Sequence, residues 1–495
     1  MQRFWPLLLP PLLFCACLKK TGPQITLLHT NDIQGFYWAR PDTENQNKET
    51  GGLAVLKKML EREDGALLFD SGDTFSKTQE GQLGGFNQAV ERMNNLGYTA
   101  ATLSAADFAL GWENLAPALK LANFSFVISN LQNAGGETPQ GVSEYIIIER
   151  SGVKIAVLGV ISKAAFPRVQ RNAGLIVLDE TEAVKTAAAK AQDEGANIII
   201  LLSSLGAELD AAAQPDEKTL AEEIPELTLI LGGNAEVAPH GYDKISNTWI
   251  SRARPGLLEA EKITLSFDSA LQVTAYQNEQ ILLAKELYGE DETLAQAIAQ
   301  GRDSAKQVAA RQLTELKQPL EIYPDKQSSL GVFTADCIRR WGSNDIGIIN
   351  SDLFLTGFQA GPLTQVDLLN AIPYTDRVMI VRMRGDELKN ALEHSINTKT
   401  NWPQTSGLEV SWNPAAPPGQ KIKKIFVGGA PLHGATIYTI STSDHIVAGG
   451  FGHEEFLNVF QFANTKSEVR DILRWCVNGR KTIPTPSTNQ WKEVK

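Results

Sequence analysis

Ile25-Thr26-Leu27-Leu28-His29-Thr30-Asn31-Asp32-Ile33-Gln34-Gly35 is the stretch that decides how the rest of this 495-residue chain is read. A run of apolar and β-branched residues followed by Asn-Asp and a Gly predicts a buried strand that ends in an acidic loop. In a parallel α/β sheet the carboxyl ends of the strands form the ligand-binding edge, so Asp32 and Gln34 stand where a site belongs. An Asp-x-His there would supply two metal ligands from one turn, because residues i and i+2 can point the same way as the chain leaves the strand. Gln34 fills the second position instead, and replacements of this kind recur along the chain.

Working outward, short apolar runs at 66–69, 99–103, 124–128, 154–161, 197–202 and 227–231 alternate with amphipathic segments such as 53–62, 85–94 and 181–193. Asp179, with Glu182 three residues on, opens the last of these in a capping-box pattern. The alternation predicts a layered α/β domain with a largely central sheet, closed by strands at 248–250 and 257–267. Residues 291–309, rich in Ala and Gln, predict a bridging helix. A second α/β unit follows, with helices at 328–341, 386–395 and 467–477 and strands at 346–349, 377–384, 407–412, 421–427 and 436–441. The predicted organisation is a first domain over 24–288, a linker helix over 289–312, a smaller α/β and α+β domain over 313–482, and a polar tail over 483–495.

Hydrophobic residues at 43% and charged ones at 21% describe an ordinary globular protein. A formal net charge of −11 argues against nucleic acid or anionic lipid as the main partner. At the N-terminus, Arg3 precedes an apolar run interrupted by Pro6, Pro10 and Pro11, too short to span a bilayer, so residues 1–17 read as a signal peptide. Leu13-Phe14-Cys15-Ala16-Cys17 resembles a bacterial lipobox, which implies a lipid-anchored protein of the cell envelope, periplasmic or outer-membrane, attached through Cys17. Cleavage without lipidation is the alternative. Cys337 and Cys476 lie in helical patterns among apolar neighbours and read as buried thiols, although an exported compartment would permit a disulfide. None of the six histidines sits in His-x-His or His-Glu-x-x-His spacing, so no independent zinc site is expected, and His29 reads as a satisfied core residue.

Five strands of the first domain run into short polar signatures: Asn31-Asp32-Ile33-Gln34-Gly35, Asp70-Ser71-Gly72-Asp73-Thr74-Phe75, Leu103-Ser104-Ala105-Ala106-Asp107-Phe108, Leu202-Ser203-Ser204-Leu205-Gly206 and Gly232-Gly233-Asn234-Ala235-Glu236. In this order they resemble the calcineurin-like metallophosphoesterase domain of the 5′-nucleotidase family, which carries Asp-x-His, Gly-Asp, Gly-Asn-His-Glu, a lone His and Gly-His-x-His at these places. Gly361-Pro362-Leu363-Thr364, Ile372-Pro373-Tyr374, Met383-Arg384-Gly385-Asp386-Glu387-Leu388, Ser406-Gly407-Leu408 and the run from Tyr438 to Gly452 resemble that family's C-terminal domain. The resemblance covers nearly all of the chain after residue 24 and implies a metallophosphoesterase sandwich followed by a nucleotidase C-terminal domain.

The family's chemistry needs two divalent ions bridged by one carboxylate, imidazoles completing each set of ligands, and a separate His on the leaving oxygen. Asp32 matches, and Asp73 takes the bridging position. Gln34, Ser204, Asn234 and Glu236 replace His ligands, Ala105 replaces the Asn ligand, and Ala106 replaces the catalytic His. No catalytic residue is therefore expected, nor a two-metal centre. What the pattern leaves is one hypothetical hard-cation site for Ca²⁺ or Mg²⁺ on Asp32, Gln34, Asp73 and Glu236. The other reading of Asp32 and Asp73 is that they satisfy turn amides.

In the C-terminal domain, Asn350 is kept, but the family's substrate-binding Arg position is Leu355. Tyr374 and His453 stand at the two aromatic clamp positions; they could stack on a nucleotide or nucleoside ring, or simply pack. The expectation is an exported 5′-nucleotidase-family pseudo-phosphoesterase with a binding or scaffolding role. The alternative is an active nucleotide phosphoesterase using a reduced, oxygen-rich metal site.

Overall fold

The computed structural model describes residues 22–41, 48–75, 78–163, 166, 174–205, 216–233, 241–374, 376–397, 401–450, 454–457, 459 and 461–494. The signal segment with Cys17, and Asn234, Glu236 and His453, lie outside them. Among the described residues no helix is long and apolar enough to cross a membrane.

The first domain holds two six-stranded sheets rather than one central sheet. In the first, strand Gln24–Thr30 pairs in parallel with Leu67–Asp70, which leads on to Tyr98–Ala101 and Ser125–Phe126. Its other edge pairs antiparallel with Glu259–Phe267 and then Val273–Leu282. In the second, Val153–Ile161, Ile198–Ser204, Leu229–Gly232 and Thr248–Arg252 run parallel, flanked by the antiparallel strands Tyr145–Arg150 and Gly241–Ile245.

Ile25, Leu27, Phe69, Ile200, Leu202, Leu229 and Leu231 fill the space between the sheets. On the outer face of the first, Leu28 and Leu68 meet helices Leu53–Leu60, Gln79–Asn94 and Glu292–Ala309. On the outer face of the second, Ile199 and Leu201 meet Glu180–Asp193 and Glu217–Glu223. The central parallel strands of each sheet are thus buried on both faces, which is why they read as unbroken apolar runs. The helix expected at 85–94 begins earlier, at Gln79, with a break at Gly85 (φ 74°). The helix expected as a linker packs Leu294 and Ile298 into the first domain's core.

The second domain has a five-stranded sheet in the order Pro403–Ser406, Ile346–Asn350, Ile437–Ser443, Arg377–Arg384, Gln461–Glu468. Helices Ser329–Trp341 and Val469–Val477 contribute to the core that includes Cys337 and Cys476, and Gly385–Ser395 contributes to another with Leu408, Val410, Ile422 and Ile425 of a four-stranded sheet. Two expectations fail here. Cys337 and Cys476 form a disulfide (S–S 2.04 Å, Cα–Cα 5.9 Å), because the two helices bring together residues 139 positions apart. The segment expected as a polar tail is built into the fold: Ile483 is buried and bridges Leu316, and Trp491–Glu493 adds a parallel strand beside Leu408–Trp412.

Candidate functional site

The carboxyl ends of the parallel strands meet at one edge, and backbone ladders lock their loops together. Ser71 N donates to Thr30 O, Asp32 N to Gly72 O (2.9 Å), Gln34 N to Asp73 O (2.7 Å) and Gly35 N to Thr74 O (2.9 Å). Gly72 takes φ 87° and passes so close to the next loop that a Cβ would lie 2.8 Å from Leu103 C and Ser104 N. Only glycine fits that approach. Asp32, Gln34 and Asp73 all sit at left-handed φ (49°, 56° and 55°), an uncommon concentration for non-glycine residues and of the kind found at ligand sites.

Two buried carboxylates hold this edge, and neither was given a role from sequence. Asp107 Oδ1 accepts from Thr74 N and Phe75 N; its Oδ2 accepts from Asp73 N, Ser104 N and Ser104 Oγ. Asp70 accepts from Thr30 Oγ1, Gly72 N and Thr74 Oγ1. Both carboxyls were visible in the quoted signatures; what sequence lacked was the set of amides each would face. His29 is buried as read, with Nδ1 2.9 Å from Glu261 Oε2 and Nε2 2.9 Å from Ser71 Oγ.

Burial pushes Asp70 up to about 7, against the opposing pull of its hydrogen bonds from Thr30, Gly72 and Thr74. An unfolded Asp titrates near 3.9, so between about pH 4 and 7 the folded chain keeps a proton that the unfolded chain releases. That contribution is whole below about pH 4 and is lost as pH rises through 7, at roughly 1.4 kcal/mol per pH unit within the window. The expected result is a melting temperature that falls from pH 5 to pH 8. Asp70→Asn should flatten the slope in a pH series of thermal melts.

The structure brings Gln34 and Asp73 together: Gln34 Nε2 donates to Asp73 Oδ2 at 2.7 Å. Asp32 is on the facing loop, its Oδ2 accepting from Asn31 Nδ2 at 2.7 Å, while Asn31 is itself tied to Ala253. An amide N–H therefore faces the carboxylate from which the family pattern would have bridged two cations. Ala105 is buried at the start of a short helical turn, Ala106 is exposed beside it, and Ser204 ends its strand buried. Among the described residues no group of three His, Cys, Asp or Glu side chains could hold a metal ion. The described residues at the family's ligand positions, Asp32, Gln34, Asp73, Ala105 and Ser204, do not by themselves supply the donors of a two-ion centre.

In the second domain, Asn350 donates to Asp352, and Tyr374 is half-buried against the core. Asp376 is raised well above the usual carboxylate range, first by burial and then by Asp444, Asp352 and Glu468. Leu355, at the position expected for an arginine, is exposed.

This geometry defines a class: a layered α/β sandwich of the metallophosphoesterase type joined to a nucleotidase-type second domain. The family model for the 5′-nucleotidase C-terminal domain matches residues 308–460. An uncharacterized metallophosphoesterase of Bacillus subtilis, YunD, is 25% identical over 78% of this chain and 81% of its own length. The 5′-nucleotidase of Diplobatis ommata is 25% identical over 89% and 85%. The crystal structure of a 5′-nucleotidase precursor from Thermus thermophilus superposes with a TM-score of 0.58 at 21% identity, covering 95% of this chain and 99% of that one. Residues 308–460 thus carry a 5′-nucleotidase C-terminal domain, and most of the chain is similar to 5′-nucleotidases and a metallophosphoesterase.

Proposed function

We propose that this is an exported family member that has lost two-ion hydrolysis of phosphate esters and acts by binding. The observation that carries the reading is what surrounds Asp73: the Gln34 amide on its carboxylate, with methyl groups at 105 and 106 where the family's chemistry needs a ligand and an acid. Loss of the proton donor alone costs about 10²–10⁴-fold, and without a Lewis acid on the phosphoryl oxygens little of the rate is left.

The ligand we propose is a nucleoside rather than a nucleotide, held by Tyr374 with His453. Asp352 and Asp444 act electrostatically on Asp376, two residues after Tyr374, and Leu355 offers no cation, so a phosphate finds no counter-charge from that position. Any cation on the first domain would be a single hard one, Ca²⁺ or Mg²⁺, on Asp32, Gln34, Asp73 and Glu236, and the Gln34 amide would have to turn its oxygen rather than its N–H₂ toward it. The Cys337–Cys476 disulfide supports the exported reading, since such bonds persist in oxidising compartments. Together with the signal-like segment it supports a cell-envelope protein anchored through Cys17.

Incubation with AMP, a UDP-sugar or p-nitrophenyl phosphate, with Mn²⁺, Mg²⁺, Ca²⁺ or Zn²⁺, should release no phosphate above the metal-only blank. Turnover that disappears in Asp73→Ala would overturn the proposal. Thermal melts test the cation separately: an ion at 100 times its Kd adds about 2.7 kcal/mol, and any such shift should be lost in Asp73→Ala.

A further inference from the structure

A cleft of about 940 Å³ opens in the second domain, between residues 318–329, the end of the Leu408–Trp412 strand and the returning C-terminal segment. It lies on a different set of residues from Asn350 and Tyr374 and shares nothing with the first domain. Trp402, Trp412 and Trp491 line it together with Glu321, Asp325 and Glu493. Trp402 is 6% exposed and is wedged between the other two indoles, edge-on to Trp412 at 5.0 Å and to Trp491 at 5.4 Å. Trp412 and Trp491 are only half-buried. The Trp491 N–H is already donated to Thr405 Oγ1 at 2.9 Å, so what that ring has left to offer a ligand is its apolar surface.

We infer that this cleft binds a neutral oligosaccharide. A pyranose ring has an apolar face of C–H groups, which an indole can cover, and an equatorial rim of hydroxyls that both donate and accept. The cleft supplies both kinds of partner. Asp325 and Glu493 are exposed carboxylates with no side-chain partner among the described residues, and each can accept two hydroxyl donors. Gln318 and Thr488 add neutral polar groups to the wall. Charge excludes a phosphorylated or acidic ligand: three carboxylates face one lysine, and Lys326 sits over the Tyr323 ring at 4.1 Å. The volume is at the upper end for ligand pockets and suits several sugar units rather than a single small cation. The rings are held by an ordered framework, so little side-chain freedom is lost on binding.

The test uses the intact chain after residue 17, with tryptophan emission and calorimetry as readouts. Chitotriose, cellotetraose and maltotetraose serve as probes at up to millimolar concentration, beside a proline-rich decapeptide and oligolysine. At least one sugar should give a saturable change in emission. That binding should weaken tenfold or more in Trp491→Ala. Because Trp491 also joins the last strand, the double variant Asp325→Asn with Glu493→Gln, at two exposed positions, is the second arm and should weaken it to a similar degree. Absence of saturation with every sugar overturns the inference, as does sugar binding indifferent to both variants. Binding of only the decapeptide or oligolysine overturns it in favour of a peptide site.

Discussion

Asp107→Ala should destabilise the protein by about 4 kcal/mol and release the Asp73 turn from its position. One carboxylate accepts from three consecutive amides of that turn, from Ser104 N and from Ser104 Oγ. Each buried donor left without an acceptor costs about 1–3 kcal/mol, and the partial exposure of Asp73 lets water recover part of the sum. Asp107→Asn is the sharper comparison. It keeps the oxygen that receives Thr74 and Phe75 but turns an N–H₂ group toward Asp73 N and Ser104, so about half of the loss should remain. Chemical denaturation of the three proteins measures this. Equal stability of Asp107→Ala and the parent would mean that the turn is held by something else.

Cys337→Ser with Cys476→Ser should lower stability by about 2–5 kcal/mol. The bond closes a loop of 139 residues, so cutting it returns a large amount of chain entropy to the unfolded state, and the loop-closure relation puts such a loop near the top of that range. Both residues are buried in one core, so the variant also places two serine hydroxyls there at a desolvation cost. Reductant should lower the parent's denaturation midpoint toward that of the double variant and leave the variant unmoved. A midpoint unchanged by reductant and by both substitutions would show that the helices are held by packing alone.

The strand from Gln24 and its acidic loop were legible because a doubly covered strand must be apolar throughout, and because Asn, Asp and Gly end it. Arg377–Arg384 was readable to the residue from an apolar, β-branched stretch whose Arg382 and Arg384 alternate outward, and the helix expected from Ser328 is capped there, the Ser328 side chain accepting from Gly331 N. What was hidden depends on partners far away in the chain. Thr, Pro and Lys around Ile483 and Trp491 look like a solvated tail until Trp491 finds Trp402 and strand Leu408–Trp412. The cysteines read as thiols because nothing local brings two helices 139 residues apart face to face. The single central sheet became two because apolar runs reveal burial on both faces but not which strands share a sheet. At the site, the replacements at 34, 105 and 106 were plain in sequence. That the Gln34 amide would settle on Asp73, and that Asp107 would brace the turn, required the three loops to be placed against one another.

The Asp73 carboxylate is answered by an amide hydrogen where the family's pattern would place two cations, and the reading of this protein as a binder rests on that exchange. Crystals soaked in manganese and measured at the metal's absorption edge report on it directly. The account predicts at most one anomalous peak beside Asp73. Two neighbouring peaks there, whatever side chains hold them, would contradict it.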